Sequence, residues 1–385
     1  MTAAMESLSP LMPTYPEQPV TFVRGLGTEL WDDTGKRYLD FLCGLAVTSL
    51  GHANPDVAEA IADQARTLLH VSNLFGTQLG LEVAATLDRL IGGGGQVFFC
   101  NSGAESNEAA IKLARKWGGP GRHVVLTAID SFHGRTLATL HATGQPAKHG
   151  PFQPLPEGFR HVPWNDLSAL EAAITDDVAA VLLEPIQGEG GVRPADLDYL
   201  QGVEQLCRDR DVLFMVDEVQ TGLARTGTWF AFQHYDVSPA VVCMAKALGN
   251  GMPIGATWAK AEVAAAFEPG DHATTFGGQP LATAAARAVL RVMIERDAPA
   301  LAERTGARLR AGLESIPAVA AVRGRGLLLA AELVDHSGPD TAARALDAGL
   351  VINGVTASAI RLAPPLLVTD AEVDQAIEIL TLVLG

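Results

Sequence analysis

Three strand-like segments of the sequence are each followed by residues whose types suit one kind of chemistry. The apolar run 97–100 precedes Ser102, Gly103 and Ala104, which open an amphipathic helical pattern. Small residues expose the backbone N–H groups of a helix N-terminus, where phosphate is the usual anion, although an ordinary capped helix would look the same. The segment is neither a P-loop nor a G-x-G-x-x-G dinucleotide motif.

An acid and a lysine follow the other two segments. Asp217 comes directly after the run 212–216, and a carboxylate at the end of a buried strand needs a cationic partner unless it caps a helix. Lys246 follows the run 241–244 among small residues and glycines. A buried ammonium is costly there, so either its pKa is lowered, or it forms a Schiff base, or its side chain reaches solvent.

A phosphate cradle, an acid and a reactive amine together suit pyridoxal 5′-phosphate (PLP). The helix N-terminus would take the phosphate, Asp217 would pair with the protonated pyridine nitrogen, and Lys246 would bind the aldehyde carbon. Phe132 follows a further strand-like run, where it stacks on the ring if it faces the cofactor and otherwise packs in the core.

Positioning these residues requires a fold that brings strand ends to one edge. Apolar runs at 97–100, 123–128, 178–183, 212–216 and 241–244 alternate with helical patterns. This order predicts an α/β fold with a large domain built on a mostly parallel sheet, helices on both faces, and a smaller α+β domain. Ligands of such sheets bind beyond the carboxyl ends of the strands.

The predicted organisation has three parts. Residues 1–50 form an N-terminal arm and strands that join the small domain, 51–278 form the large domain, and 279–385 form the C-terminal small domain. A helix is expected at 55–69, two more at 281–296 and 300–314, and a strand at 327–333.

Composition excludes several classes of function. The 385 residues carry 28 Lys and Arg against 44 Asp and Glu, a net charge of −16, which disfavours binding to nucleic acid or an anionic membrane. No apolar run approaches the length of a membrane span, and no secretory signal is evident. The four scattered cysteines form no metal-binding motif, so we expect no metal and a reducing cytoplasm.

Longer segments resemble the class III, fold-type I, PLP-dependent aminotransferases. Residues 213–227, 244–249 and 253–255 are similar to the family signature around its PLP lysine. Residues 72–75, 101–115, 132–136, 143–148, 184–189 and 360–366 add a narrower resemblance to the acetylornithine aminotransferases. The resemblance runs from about Val20 to the C-terminus.

The resemblance implies roles for individual residues. Lys246 and Asp217 would be catalytic, and PLP would be bound by Ser102, Gly103, Ala104, Phe132, Asp217, Val219, Gln220 and Lys246. Thr275 would reach the phosphate of the neighbouring subunit, which implies a homodimer with shared active sites.

The substrates implied are N2-acetyl-L-ornithine and 2-oxoglutarate, in arginine biosynthesis. Arg135, with Thr274 beside it, would hold the α-carboxylate of the donor, and Arg361 would hold that of glutamate. Glu184 would pair with Arg361 while the donor is bound and release it for glutamate, because an unpaired arginine beside a methylene chain is a desolvated charge.

Other functions remain open from the sequence. Related aminotransferases acting on ornithine, succinyldiaminopimelate, 4-aminobutyrate or acetyl-lysine share the chemistry, and no residue is identified that reads the acyl group. A PLP-dependent decarboxylase or aminomutase and a non-catalytic anion-binding protein are the alternatives of other classes.

Overall fold

Residues 11–385, which the computed structural model describes, alternate between strands and helices through the middle of the chain. The first ten residues of the predicted segment 1–50 lie outside the described residues. In chain order the strands are β1 (Phe22–Leu26), β2 (Glu29–Asp32), β3 (Arg37–Asp40), β4 (Gly95–Cys100), β5 (Val124–Ala128), β6 (Phe159–Val162), β7 (Val178–Leu183), β8 (Ile186–Gln187), β9 (Arg193–Pro194), β10 (Leu213–Asp217), β11 (Val241–Met244), β12 (Gly255–Lys260), β13 (Val319–Arg325), β14 (Leu328–Leu333), β15 (Leu350–Val351), β16 (Asn353–Gly354) and β17 (Ala359–Leu362).

Helices separate most of these strands. They are α1 (Cys43–Ala46), α2 (Pro55–Thr67), α3 (Gln78–Ile91), α4 (Gly103–Gly118), α5 (Leu137–Ala142), α6 (Leu167–Ala173), α7 (Leu197–Asp209), α8 (Ala261–Ala264), α9 (Pro280–Glu295), α10 (Ala298–Glu314), α11 (Gly338–Asp347) and α12 (Asp370–Leu384). Short 3-10 turns occur at Pro146–Lys148, Gly150–Phe152, Ala231–Tyr235 and Lys246–Leu248. Within residues 11–385, none of the helices has the length and apolar character that a bilayer span requires.

A seven-stranded sheet forms the centre of the molecule, in the order β4-β12-β11-β10-β7-β5-β6. Strands β7, β10 and β11 are buried along their whole length, as expected for strands covered by helices on both faces. β12 runs antiparallel to both β11 and β4, so β4 is parallel to the remaining strands. The carboxyl ends of β4, β5, β10 and β11 therefore meet at one edge, and the predicted α/β fold class is confirmed.

Local sequence explains where the helix that opens this edge begins and ends. Ser102 is the N-cap of α4, and its hydroxyl accepts a hydrogen bond from the backbone N–H of Glu105 at 3.2 Å. Arg115 and Lys116 lie in the last turn, where cations complement the helix dipole. Gly119 follows with φ +73°, a left-handed conformation that glycine adopts without strain.

Two smaller sheets complete the fold. β13, β14, β17 and β16 form an antiparallel sheet in that order, and β1, β2 and β3 form another with β15. β15 pairs in parallel with β3, so Leu350 lies opposite Leu39. This pairing joins the first strands of the chain to a segment more than 300 residues later, and β8 with β9 forms a separate two-stranded ribbon.

Candidate active site

A pocket opens at the edge of the large sheet where the strand ends meet. Residues after β4, β5, β10 and β11 line it together, including Ser102, Phe132, Val219 and Lys246. Asp217, the last residue of β10, contributes its side chain to the same wall. The sequence prediction that these strand ends share one site agrees with the geometry.

The first turn of α4 forms one wall of the pocket through Ser102, Gly103 and Ala104. Gly103 packs so closely on Val219 that a Cβ atom would lie 2.7 Å from Val219 Cγ1. Glycine is therefore required for this approach of the helix to the β10 segment. The small residues leave the positive end of a 16-residue helix facing the pocket, a suitable place for a phosphate.

Asp217 is held by three donors. Its Oδ2 accepts hydrogen bonds from Asn107 Nδ2 at 2.7 Å and His133 Nδ1 at 2.9 Å, and its Oδ1 accepts from the backbone N–H of Val219 at 3.0 Å. The side chain is 5% exposed. The three donors fix the position of this carboxylate, a group that can pair with a protonated ring nitrogen.

Lys246 begins the short turn after β11 with φ +42°, an unfavourable conformation for a residue with a Cβ. Its side chain is half-buried in the pocket wall. Burial, and next the positive charge of Arg361, lower the pKa of the Lys246 ammonium. The amine is therefore neutral, and nucleophilic, over a wider pH range than that of an exposed lysine.

Arg361 lies on β17 and is only 1% exposed. Its Nη1 donates to Glu189 Oε1 at 2.7 Å and to Gln220 Oε1 at 3.2 Å, and its Nε donates to Asn353 Oδ1 at 3.1 Å. Burial acts to raise the pKa of Glu189, but the charge and hydrogen bond of Arg361 outweigh it and hold that pKa below its ordinary value. Arg361 and Glu189 thus form a charged pair at the pocket.

In this structure Arg361 contacts Glu189 and not Glu184, and the pair of Glu184 with Arg361 that is predicted for the donor-bound enzyme stays a prediction. Glu184 lines the pocket, but its Oε2 accepts from the backbone N–H of Phe132 at 3.0 Å and its Oε1 from that of Gly188 at 3.1 Å. Burial, opposed by the charge of His133, raises the pKa of Glu184 to about 7. Glu184 therefore holds the backbone of two loops in place.

Phe132 and Arg135 line the pocket on the side formed by the segment after β5. The guanidinium carbon of Arg135 lies 5.5 Å from the Phe132 ring centroid, and Lys148 Nζ lies 5.6 Å from it. Arg135 is exposed, unlike Arg361. Arg135 thus lines the pocket itself, whereas buried Arg361 lies behind the lining residues Glu189 and Gln220, to which it donates hydrogen bonds.

Two predicted site residues lie elsewhere in the single chain. Thr274 Oγ1 accepts a hydrogen bond from Asn101 Nδ2 at 3.3 Å and from the backbone N–H of Gly277 at 3.1 Å. Thr275 is exposed and lines a second cavity, which includes Leu74 and Phe75. The structure does not bring either threonine into the pocket around Lys246.

Comparison with known proteins decides the family. The family model described as "Aminotransferase class-III" matches residues 12–384. The chain belongs to the class III aminotransferases. A curated acetylornithine aminotransferase from Caldanaerobacter subterraneus subsp. tengcongensis is 47% identical over 383 residues, covering 97% of each chain.

Solved structures of the same family superpose closely on this class III aminotransferase. The ornithine aminotransferase of Toxoplasma gondii ME49 gives a TM-score of 0.92 at 34% identity, covering 97% of this chain and 92% of that one. The acetylornithine aminotransferase of Elizabethkingia anophelis gives 0.86 at 35% identity, with 97% and 96% covered. The predicted family, fold type and class of enzyme are confirmed.

The pocket of this aminotransferase fits PLP, the cofactor of the family. Gly103 and its neighbours supply the phosphate cradle, and Asp217 supplies a carboxylate held by three hydrogen-bond donors. Lys246 supplies an amine of lowered pKa on the same wall. These three features match the phosphate, the ring nitrogen and the aldehyde of PLP, so the donor set agrees with the cofactor.

Sequence reasoning missed three residues of this aminotransferase site. Glu184 and Glu189 lie five residues apart in the segment 184–189. The turn after β8 determines that Glu189 is the one that contacts Arg361. Asn107 and His133 were not assigned to Asp217, because helix α4 and the segment after β5 are brought to β10 only by the sheet order. Their polarity at buried positions was the available signal.

Proposed function

We propose that this aminotransferase moves the δ-amino group of N2-acetyl-L-ornithine to 2-oxoglutarate, giving N-acetyl-L-glutamate 5-semialdehyde and L-glutamate in arginine biosynthesis. The observation that carries the proposal is the pairing of buried Arg361 with Glu189 beside Lys246. The names of relatives support it, since curated proteins from 45% to 48% identical over at least 95% of this chain are acetylornithine aminotransferases.

The Arg361–Glu189 pair suits two unlike substrates. The donor presents a terminal amine on a methylene chain, and an unpaired buried guanidinium beside that chain would be a desolvated charge. Glu189 neutralises it at 2.7 Å. Glutamate presents an α-carboxylate next to its amine, and this group would replace Glu189 on Arg361. Exposed Arg135 would then hold the distant carboxylate of the donor.

The residues of the chain divide the chemical work around the cofactor. PLP, when bound, supplies an electrophilic carbon and an electron sink for the bond that is broken. Asp217 would pair with the ring nitrogen of the cofactor, and Phe132 and Val219 line the pocket in which the ring would lie. Lys246, with its lowered pKa, is the group that would accept the proton from the substrate carbon and hold it for return to the cofactor.

A donor panel tests the substrate. Holoenzyme and the Lys246→Ala variant are assayed with 2-oxoglutarate and each of five donors: acetylornithine, ornithine, succinyldiaminopimelate, 4-aminobutyrate and acetyl-lysine. We expect the highest kcat/KM for acetylornithine and no turnover by the variant. A higher kcat/KM for another donor would replace the proposed substrate while leaving the aminotransferase reaction intact.

We infer that two copies of the chain form the active unit. The support is the second cavity, where the lining residues Leu74, Phe75 and Leu81 are 86%, 70% and 67% exposed, an unusual apolar surface for a monomer. Thr275 lies at this cavity, away from the pocket of its own chain. Sites shared across this surface would use Thr275 from the opposite copy.

Hybrid dimers test the sharing of sites. Lys246→Ala is expected to be inactive, and Thr275→Ala is expected to hold PLP weakly. If Thr275 serves the opposite copy, a mixed dimer of the two variants contains one site with both residues intact, and activity returns on mixing. A monomer in sedimentation, or no recovery after verified exchange, would contradict the proposal.

We further propose the domain limits 1–50, 51–278 and 279–385, and a cytoplasmic location. The pairing of β3 with β15 supports a link between the first strands and the last segment. The four cysteines are buried and unpaired, which suits a reducing compartment. Limited proteolysis of the holoenzyme near residue 278, and fractionation of cells, test these two points.

A further inference from the structure

Three histidine rings meet at the edge of the large sheet, outside the pocket. His141 lies in the last turn of α5, His149 lies between two 3-10 turns, and His161 lies on the edge strand β6. Their ring centroids are 5.5 Å (His141–His149), 5.7 Å (His149–His161) and 6.3 Å (His141–His161) apart. One nitrogen of each ring lies within 4.8 Å of a nitrogen of both others.

Backbone carbonyls determine which nitrogen carries the proton in two of the rings. His141 Nδ1 lies 2.6 Å from the carbonyl oxygen of Pro156, and His149 Nε2 lies 2.7 Å from that of Thr143. A carbonyl oxygen only accepts, so both of these nitrogens carry N–H. In its neutral form each ring therefore keeps a bare lone pair, on Nε2 of His141 and on Nδ1 of His149.

In the third ring, that of His161, a threonine determines which nitrogen carries the proton. Thr127 Oγ1 donates its one proton to the carbonyl of Ala142 at 2.7 Å, so it accepts from His161 Nδ1 at 2.8 Å. The remaining lone pair is on His161 Nε2, a buried atom that has no hydrogen-bond partner among the described residues.

We propose that His141, His149 and His161 bind a divalent transition-metal ion, with Zn²⁺ as the probe that defines the class. Three bare imidazole nitrogens are a ligand set for zinc and its neighbours rather than for magnesium or calcium, which prefer oxygen. In each ring the other nitrogen donates its N–H to an oxygen acceptor, which fixes the ring orientation and the tautomer, as it does for histidine ligands in metal sites. A bound cation would also satisfy the orphaned His161 Nε2.

The geometry requires a small closure. Zn–N bonds of about 2.0–2.1 Å in a tetrahedral site place ligand nitrogens about 3.3 Å apart. The widest pair would then close by at most about 1.5 Å from 4.8 Å. Half-buried His141 leaves an entry from solvent, and water would take the fourth position. Such an ion would join a helix end, a loop and an edge strand.

Variants that remove only the free nitrogen test the site. His149→Gln places a donor near the old Nε2, and His161→Asn places one near the old Nδ1, so both keep their hydrogen bonds while losing the ligand. His336→Asn, in the loop after β14, is the matched control. Zn²⁺ is titrated by calorimetry into tag-free, metal-stripped holoenzyme at pH 7.5, and Co²⁺ spectra report coordination.

The expected result is one high-affinity Zn²⁺ per chain, a tetrahedral Co²⁺ spectrum, and affinity weakened at least about tenfold by either site variant but unchanged by the control. Each variant is first shown to retain PLP absorbance and a melting curve. Absence of stoichiometric Zn²⁺ binding would overturn the proposal. So would binding that the two folded site variants leave unchanged, because the ion would then lie elsewhere, for example on the cofactor phosphate.

Discussion

Glu189→Gln tests whether the two substrates use Arg361 differently. The change keeps the volume of the side chain and an oxygen that can accept from Arg361 Nη1, but it removes the negative charge 2.7 Å away. Arg361 keeps its neutral partners Gln220 and Asn353. The variant therefore isolates the charge of Glu189 from its shape.

The magnitude follows from the kind of contact that is lost. Hydrogen bonds to charged groups contribute about 1.5–3 kcal/mol, and the variant keeps one charge of the pair instead of two, so we expect a loss of about 1–2 kcal/mol when the donor chain lies beside Arg361. The kcat/KM for acetylornithine should fall about 5- to 30-fold. The value for glutamate should stay level or rise, because its carboxylate no longer displaces Glu189.

Single-turnover kinetics measures each half-reaction separately. Holoenzyme is mixed with acetylornithine alone or glutamate alone, and the change in cofactor absorbance gives the rate at each substrate concentration. Equal losses in the two half-reactions, or an unchanged rate with acetylornithine, would refute the reasoning. The control is Glu184→Gln, which weakens the support of Phe132 and Gly188 and should slow both half-reactions by a similar factor.

Four further changes have expected outcomes. Lys246→Ala should abolish turnover and leave no borohydride-reducible cofactor on the protein; retained steady-state activity would contradict its role. Asp217→Asn should lower kcat by about 100-fold or more, and an unchanged kcat would exclude its charge from catalysis. Gly103→Ala puts a Cβ 2.7 Å from Val219 and should weaken PLP binding about tenfold in equilibrium dialysis. Burial raises the pKa of Glu218 from 4.5 to about 7, so its contribution to stability is complete below pH 4.5 and is lost as pH rises through 7. Glu218→Gln should flatten that loss, up to about 3 kcal/mol in denaturant unfolding at pH 5 and 8, and an unaltered pH dependence would contradict the assignment.

The large sheet was predictable where strands are apolar throughout. The expected run 178–183 is β7, and the run 241–244 is β11, because buried parallel strands leave a continuous signal. β6 and β12 were not predicted. β6 contains Arg160 and His161, since an edge strand is partly exposed, and β12 begins at a glycine and ends at Lys260. Because such strands contain polar and small residues, they give no continuous apolar run in the sequence.

The candidate site was predictable where one residue follows one strand. Asp217 and Lys246 stand at strand ends, and the topology of parallel sheets brings such positions together. The partner of Arg361 was not predictable, because Glu184 and Glu189 lie in the same segment and the two-residue strand β8 between them determines which one reaches Arg361. The left-handed backbone of Lys246 was equally hidden, since local sequence favours no such conformation for lysine.

A chain of net charge −16 can still select carboxylates, because what matters is the balance at one guanidinium. Without a counter-ion, Arg361 would bind the α-carboxylate of glutamate but would be an uncompensated charge beside the methylene chain of the donor. A neutral residue in its place would accept the methylene chain but would not bind the carboxylate. Glu189 lies on a turn and is 34% exposed, so it can leave Arg361 without unfolding a strand. Gln220 and Asn353 would hold the guanidinium in place during that exchange. In the proposed reaction, acceptance of two unlike substrates would therefore depend on an ion pair with one fixed and one movable member, an arrangement produced by the fold around β8 and β17.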